Sequence, residues 1–167
     1  MSRLDSFIRR LSAQRDCLNQ AAAQIETLPG WILEVGLGNG RTYDHLRTCC
    51  PTRRILVFDR QIGAHPDCIP PESDLRLGDF RDTIPAMARD HGGMAILIHA
   101  DLGSGDKQQS LALATALASD FALLLKPGGL IVTDQPLPRQ GDLDPAELPP
   151  TVAAGRYFIY RKLRLSA

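Results

Sequence analysis

Short apolar runs alternate with longer stretches of helical periodicity along most of this chain, and that alternation restricts its fold more than any other feature. Each run is apolar at nearly every position, which is typical of a strand buried on both faces of a parallel sheet. The helical stretches between the runs would cover those two faces. The sequence therefore predicts an α/β fold with a doubly wound, mostly parallel sheet. Six strands are predicted, at residues 31–35, 54–59, 75–78, 94–100, 130–133 and 157–163.

The two ends of the chain flank this alternation. Apolar residues recur at helical spacing over residues 4–28, and Pro29-Gly30 ends the pattern. This predicts an N-terminal amphipathic helix, whole or broken in two, that serves as core packing or also as part of a lid. A proline-rich segment without a core pattern precedes the sixth strand. We therefore predict a single domain, 1–167, made of the helix (1–30), a central core (31–134) and a shortened C-terminal end (135–167).

Charge and composition argue against several classes of protein. Nineteen basic residues balance nineteen acidic ones, which disfavours a general electrostatic surface for nucleic acid or for an anionic membrane. No apolar run at the start has the length of a signal peptide. We expect a cytoplasmic protein with small-molecule partners, no nucleic acid and no membrane, and a homodimer remains open. The four cysteines lack C-x-x-C spacing and are expected to be reduced and structural.

Acidic residues stand at or just beyond the end of nearly every predicted strand. The carboxyl ends of parallel strands meet at one edge of a sheet, and α/β proteins bind their ligands there. This coincidence is the main functional signal in the sequence. The residues concerned are Glu34, Asp59, Asp79, Asp101 and Asp134.

The loop after the first predicted strand carries three alternating glycines, Gly36, Gly38 and Gly40. A phosphate-binding P-loop needs one more residue between its outer glycines and a lysine after the last, so we exclude that class. A dinucleotide fingerprint would place its third glycine at Arg41, whose side chain would impede the packing of helix on strand. This disfavours a dinucleotide site, and the alternative interpretation is the pattern E-x-G-x-G-x-G, which begins at Glu34.

Five motifs in chain order resemble those of the class I S-adenosylmethionine-dependent methyltransferases, above all their short bacterial members. The resemblance covers residues 31–136 and implies a Rossmann-like methyltransferase fold with S-adenosylmethionine as the cofactor. That family usually ends in an antiparallel hairpin, whereas we predict one strand after the fifth. The motifs are residues 34–40, Phe58-Asp59, Gly78-Asp79-Phe80, His99-Ala100-Asp101 and residues 125–132.

The resemblance also implies a partner for each group of the cofactor. Asp59 would accept the ribose hydroxyls, Asp79 the adenine amine, and Glu34 the ammonium. Backbone N–H groups at the start of the following helix would bind the carboxylate. The alternatives are a buried ion pair for Glu34, a simple helix cap for Asp79 and a core position for Phe80. The full predicted cofactor site is Glu34, Gly36, Leu37, Gly38, Asn39, Gly40, Thr42, Asp59, Arg60, Asp79 and Phe80.

The predicted catalytic residues follow the fourth and fifth strands. Asp101 is the first choice for acceptor contact or general base, with His99 and Asp134 behind it. A buried core role is the alternative for His99, and a turn cap for Asp101. The Asp101/Asp134 pair is also similar to the divalent-cation site of catechol-type O-methyltransferases. Gln135 replaces the expected Asn there, so we predict no metal ligand and keep a metal as the alternative.

Together these residues predict methyl transfer from S-adenosylmethionine to an unidentified small-molecule acceptor. The alternative is a non-catalytic protein or partner subunit that only binds the cofactor. An open cleft beside Asp101 and Asp134 would favour the enzyme. A pocket closed by the proline-rich segment would favour the binding protein.

Overall fold

The computed structural model describes residues 2–103 and 105–164, which form one seven-stranded sheet with helices on both faces. No helix in these ranges is both long and apolar enough to cross a membrane. The helices are α1 (Arg3–Gln24), α2 (Arg41–Cys49), α3 (Phe80–His91) and α4 (Lys107–Leu124). The strands are β1 (Trp31–Val35), β2 (Ile55–Asp59), β3 (Leu75–Leu77), β4 (Ala95–Ala100), β5 (Leu125–Thr133), β6 (Leu143–Pro145) and β7 (Phe158–Lys162).

The order of strands across the sheet is β3-β2-β1-β4-β5-β7-β6. The first five strands run parallel, whereas β7 is antiparallel to both β5 and β6. The order reverses between the neighbours β1 and β4, and such a switch point leaves a crevice beyond the carboxyl ends of the strands. The glycine-rich loop after β1 and the residues after β4 therefore lie side by side. The predicted fold class is confirmed.

Two hydrophobic cores lie on opposite faces of the sheet. Because neighbouring side chains of a strand point to opposite faces, Leu33 and Val35 of β1 belong to the core under α3 and α4. Ile32 belongs to the core under α1 and α2. Burial on both faces explains the continuous apolar runs in the sequence and holds the ends of β1 and β4 in place.

The N-terminal helix is one unbroken element that ends at Gln24, before the predicted limit of its apolar pattern. A capping box starts it, in which Asp5 N donates to Ser2 Oγ and Ser2 N donates to Asp5 Oδ2, each at 3.0 Å. Its C-terminal half is buried against the sheet, whereas the side chains of Leu4 and Phe7 remain 66% and 45% exposed. The helix therefore has a packed half and a free half.

The C-terminal end differs from the sequence prediction, because a seventh strand, β6, pairs with β7 and completes an antiparallel hairpin. This strand has three residues, of which only Leu143 is buried. Pro145 lacks a backbone donor, which suits an edge strand and weakens any strand pattern in the sequence. The prediction of a single strand after β5 was therefore wrong.

Candidate active site

Glycine is required at two positions of the loop that joins β1 to α2. Gly36 has φ of +98°, and a Cβ there would lie 2.4 Å from the backbone oxygen of Asp101. Gly40 has φ of +82° and precedes α2, where a Cβ would lie 2.5 Å from the Cβ of Cys68. These conformations and contacts exclude side chains. The loop consequently passes close to the end of β4 and starts α2 with its N–H groups at the crevice.

The carboxylate of Asp59, at the end of β2, ties this loop to the neighbouring strand. Its Oδ2 accepts from Gly38 N at 3.1 Å, and its Oδ1 accepts from Arg60 N at 2.6 Å. The N–H of Gln61 adds a longer bond of 3.4 Å to Oδ1. Backbone donors thus fix the carboxylate at the wall of the crevice, with lone pairs left for a ligand.

A cleft of about 660 Å³ opens along the carboxyl ends of the strands. Its volume is in the usual range for small-molecule sites. Glu34, Gly40, Asp79 and His99 were predicted site residues but do not line it. The predicted residues that do line it are Gly36, Leu37, Gly38, Asn39, Thr42, Asp59, Arg60, Phe80, Asp101 and Asp134.

Glu34 and His99 form a fully buried pair beneath the cleft, each with 0% exposure. Glu34 Oε2 lies 2.8 Å from His99 Nδ1, and Glu34 Oε1 accepts from the hydroxyl of Thr42. Burial lowers the pKa of His99, but the charge and hydrogen bond of Glu34, together with the charges of Asp101 and Asp134, outweigh burial, so the pKa is raised. This burial agrees with the core role that was the alternative for His99, in which the ring compensates a buried carboxylate.

The buried pair continues into a chain of side chains from two further elements. His99 Nε2 lies 3.2 Å from the hydroxyl of Tyr157, which accepts from Gln14 Nε2 at 2.8 Å. The same Gln14 nitrogen donates to Asp101 Oδ2 at 3.0 Å. Burial raises the pKa of Tyr157 well above its ordinary value, so it stays a neutral phenol. Helix α1 is thereby linked both to the buried pair and to the cleft.

The carboxylates of Asp101 and Asp134 both lie close to Gly103. A Cβ on Gly103 would be 3.6 Å from Asp101 Oδ1 and 3.2 Å from Asp134 Oδ2. Asp101 Oδ2 accepts from Arg10 Nη1 at 3.3 Å in addition to its bond from Gln14. The structure thus brings together the two acids predicted from different strands.

Asp134 is held by hydrogen bonds from two residues. Its Oδ1 accepts from Leu102 N at 3.0 Å, and its Oδ2 accepts from Gln135 Nε2 at 2.9 Å. Burial raises the pKa of the Asp134 carboxyl, and the nearby Asp101 adds to that shift. Across the described part of the chain, no three His, Cys, Asp or Glu residues are grouped as metal ligands.

Asp79 does not line the cleft itself but lies beside two residues that do, Arg60 and Phe80. Asp79 Oδ1 accepts from Arg81 N at 2.9 Å and caps α3, which is the alternative role considered for it. Its Oδ2 lies 3.5 Å from Arg60 Nη2. Phe80, the first residue of α3, contributes an apolar wall to the cleft. Asp79 therefore shapes the cleft indirectly, by holding the start of α3 and the side chain of Arg60.

Several cleft residues had no predicted role. Three come from α1 and show that this helix forms a wall of the cleft as well as part of the core. Their apolar and polar spacing predicted a helix but not which elements it would face. The residues of α1 are Arg10, Leu11 and Gln14, and the others include Arg41, Lys107 and Ser110.

A model of the S-adenosyl-L-methionine methyltransferase family matches residues 1–162. An S-adenosyl-L-methionine methyltransferase from Silicibacter pomeroyi is 44% identical, with 97% of this chain and 99% of that chain covered and a TM-score of 0.92. No curated protein matches significantly.

More distant solved structures share the fold. TrmN from Thermus thermophilus has a TM-score of 0.58 at 19% identity, over 87% of this chain and 48% of that one. The methyltransferase MycE from the mycinamycin biosynthetic pathway, solved with Mg and S-adenosylhomocysteine, has a TM-score of 0.54 at 18% identity. That match covers 87% of this chain and 45% of MycE.

Proposed function

The chain belongs to the S-adenosyl-L-methionine methyltransferase family, and from that premise we propose that it methylates a small-molecule nucleophile held between α1 and the ends of β4 and β5. The methyl donor is S-adenosylmethionine. The observation that carries the proposal is one continuous cleft that joins the glycine-rich loop to Asp101 and Asp134.

The residues around the loop fit the cofactor. A Cβ on Gly38 would meet nothing within 4 Å, so the loop faces open space at its centre. Asp59 offers carboxylate oxygens to the ribose hydroxyls, and the loop N–H groups at the start of α2 suit the carboxylate. Thr42 lines the cleft and donates to the buried Glu34. Glu34 would therefore favour the ammonium through Thr42, whose hydroxyl donates to Glu34 and keeps its oxygen as an acceptor.

The acceptor would lie beside Asp101. The sulfonium of the cofactor supplies an already activated methyl group, so the protein has mainly to orient the nucleophile for in-line attack. Asp101 would accept a hydrogen bond or a proton from that nucleophile. Arg10 and Gln14 both bind its Oδ2 and fix the rotation of the carboxylate. Asp134, with its raised pKa, would add a second hydrogen-bonding group close to Gly103.

The shape of the cleft favours the enzyme over a protein that only binds the cofactor. Of residues 135–150, which form the proline-rich segment, only Gln135 lines the cleft. The segment does not close it. A small-molecule acceptor and a cytoplasmic location remain predictions.

Two measurements test this function. Calorimetric titration should show that S-adenosylhomocysteine binds, and labelled S-adenosylmethionine should transfer its methyl group to a component of a small-molecule extract. Asp101→Asn should lower that transfer about 100-fold and leave cofactor affinity unchanged, since general base catalysis contributes about that factor. Asp90→Asn, an exposed change away from the cleft, is the control. Equal transfer by wild type and Asp101→Asn would contradict the role of Asp101.

A further inference from the structure

A second, smaller cavity of about 260 Å³ adjoins the cleft beside the free half of α1. Arg10 lines both spaces, and its guanidinium also donates to Asp101 at 3.3 Å. The two cavities therefore share the side chain of Arg10. The cavity is lined by Arg3, Ser6, Phe7, Arg10 and Arg156.

Three guanidinium groups meet at this cavity, and none of its lining residues is acidic. Arg10 is paired with Asp101, whereas Arg3 and Arg156 have no carboxylate within ion-pair distance among the described residues. The nearest acid along α1, Asp5, binds Ser2 in the capping box. The whole chain carries equal numbers of basic and acidic residues. The cluster is therefore a local feature and does not reflect a general excess of positive charge.

The position of this cluster is unfavourable without a partner. Arg3 lies in the first turn of α1, where the helix dipole disfavours positive charge. Two further guanidinium groups at the same cavity add repulsion. An anion would relieve both effects, and arginine forks suit the paired oxygens of carboxylates and phosphates. Phe7 offers an apolar wall beside them.

We propose that this cavity binds an anionic group, a carboxylate or a phosphate, of the methyl acceptor. The proposal rests on the proposed function and adds the chemical class of the acceptor. Arg10 would serve both ends of the molecule, because it lines the anion cavity and orients Asp101 in the cleft. The acceptor is then a small acid whose nucleophilic atom reaches Asp101 while its acidic group stays outside the cleft.

The test is an NMR titration of the arginine side-chain N–H groups in protein loaded with S-adenosylhomocysteine, which occupies the loop that could itself hold an anion. Inorganic phosphate and benzoate are the two probes, and the tighter one identifies the acidic group. The double variant Arg3→Gln/Arg156→Gln should weaken binding by about tenfold or more, the loss of at least one charged hydrogen bond. Arg10 is kept, because it also orients Asp101.

A matched control removes two positive charges elsewhere. Arg9→Gln/Arg89→Gln changes exposed residues that line neither cavity, and it should bind both probes like the wild type. The proposal is overturned if neither probe saturates, or if both double variants weaken binding equally. Failure of S-adenosylhomocysteine to bind the wild type would instead contradict the proposed function.

A short single-stranded RNA forms the last arm of the experiment. Repeated phosphates on one strand could also use an arginine cluster. If the RNA binds in an Arg3- and Arg156-dependent manner while neither small probe saturates, the acceptor is a polymer and the proposal of a small acid is wrong. Saturation by phosphate or benzoate, lost only in the Arg3→Gln/Arg156→Gln variant, supports it.

Discussion

Glu34 and Asp59 end neighbouring parallel strands and have the same sequence signature, an acidic residue after an apolar run. The structure gives them opposite surroundings. Glu34 is fully buried against His99 and Thr42. Asp59 lines the cleft, where it accepts hydrogen bonds from backbone N–H groups.

The difference arises from depth along the strand and from the position of each strand in the sheet, because Glu34 is in register with Val57, two residues before Asp59. Strand β1 is flanked by β2 and β4, and its end is covered by side chains from α1 and from the residue before β7. Strand β2 lies one position nearer the edge, beside the three-residue β3. An acid at the centre therefore has to be compensated inside the protein, whereas an acid nearer the edge remains available to a ligand. The same pattern can thus serve stability in one strand and binding in the next.

The largest expected effect is on stability. Glu34→Ala should lower the free energy of unfolding by about 3 to 5 kcal/mol, because it leaves a buried histidine without its partner. Chemical denaturation of the apo protein measures this loss. Asp59→Ala, the matched change one strand away, should lower it by about 2 kcal/mol, because the exposed backbone N–H groups that lose this acceptor can bind water instead. Equal losses of unfolding free energy in the two variants would show that both acids contribute equally to the stability of the fold.

The second effect is on ligand binding, for which Asp59 should matter more than Glu34. At about a hundred times its dissociation constant, S-adenosylhomocysteine should stabilise the wild type by about 2.7 kcal/mol. Asp59→Ala should remove most of this gain, because the carboxylate is expected to bind the ribose. Thermal unfolding with and without the ligand measures the gain. If Asp59→Ala is stabilised by the ligand as much as the wild type, Asp59 only holds the glycine-rich loop in place and does not bind the ligand.

A third test uses the pH dependence of stability to detect the buried pair of Glu34 and His99, as distinct from Asp59 at the cleft. The pKa of His99 is raised above its ordinary 6.5 in the folded protein. The pair of Glu34 and His99 therefore contributes its full stabilisation of the fold below pH 6.5. The contribution is lost as the pH rises through the folded pKa. The other groups that face His99 are Asp101, Asp134 and Tyr157. The pKa of Asp134 is also raised, so this group too lowers the stability of the fold as the pH rises, but its effect begins at lower pH.

Unfolding free energies measured across neutral pH should therefore fall on the alkaline side. His99→Gln should flatten this dependence, whereas His65→Gln, at an exposed position, should leave it unchanged. An unfolding free energy that increases with pH, at pH values above the ordinary pKa of histidine, would show that Glu34 does not hold a proton on His99.

The sequence predicted the central fold because its signals are local. Continuous apolar runs identified β1, β2, β4 and β5, and alternating glycines identified the loop before α2. Strand β6 has only Leu143 as a buried residue, so its pairing with β7 depends on a partner found elsewhere in the chain. The cap at Asp79 was named only as an alternative, since an acid before a helix fits ligand and cap equally well.

The contacts that join α1 to the residues beneath the cleft cannot be read from sequence spacing. Gln14 binds Tyr157 across 143 positions and Asp101 across 87. Tyr157 appeared in the sequence as one residue of an apolar strand, and Gln14 as one polar residue of an amphipathic helix. Only the packing of α1 over the end of the sheet brings them to His99.

The smallest effect should come from the link between that helix and the buried pair. Tyr157→Phe removes the hydroxyl that joins Gln14 to His99 and should cost about 1 to 2 kcal/mol of unfolding free energy. Hydrogen exchange should also show faster opening of α1. Tyr160→Phe, which removes one hydroxyl bonded to Leu137 N at 2.9 Å, is the control because it has no bond to α1. If both variants leave α1 equally protected, the Glu34 and His99 pair is stabilised by the sheet alone and the helix is only a wall of the cleft.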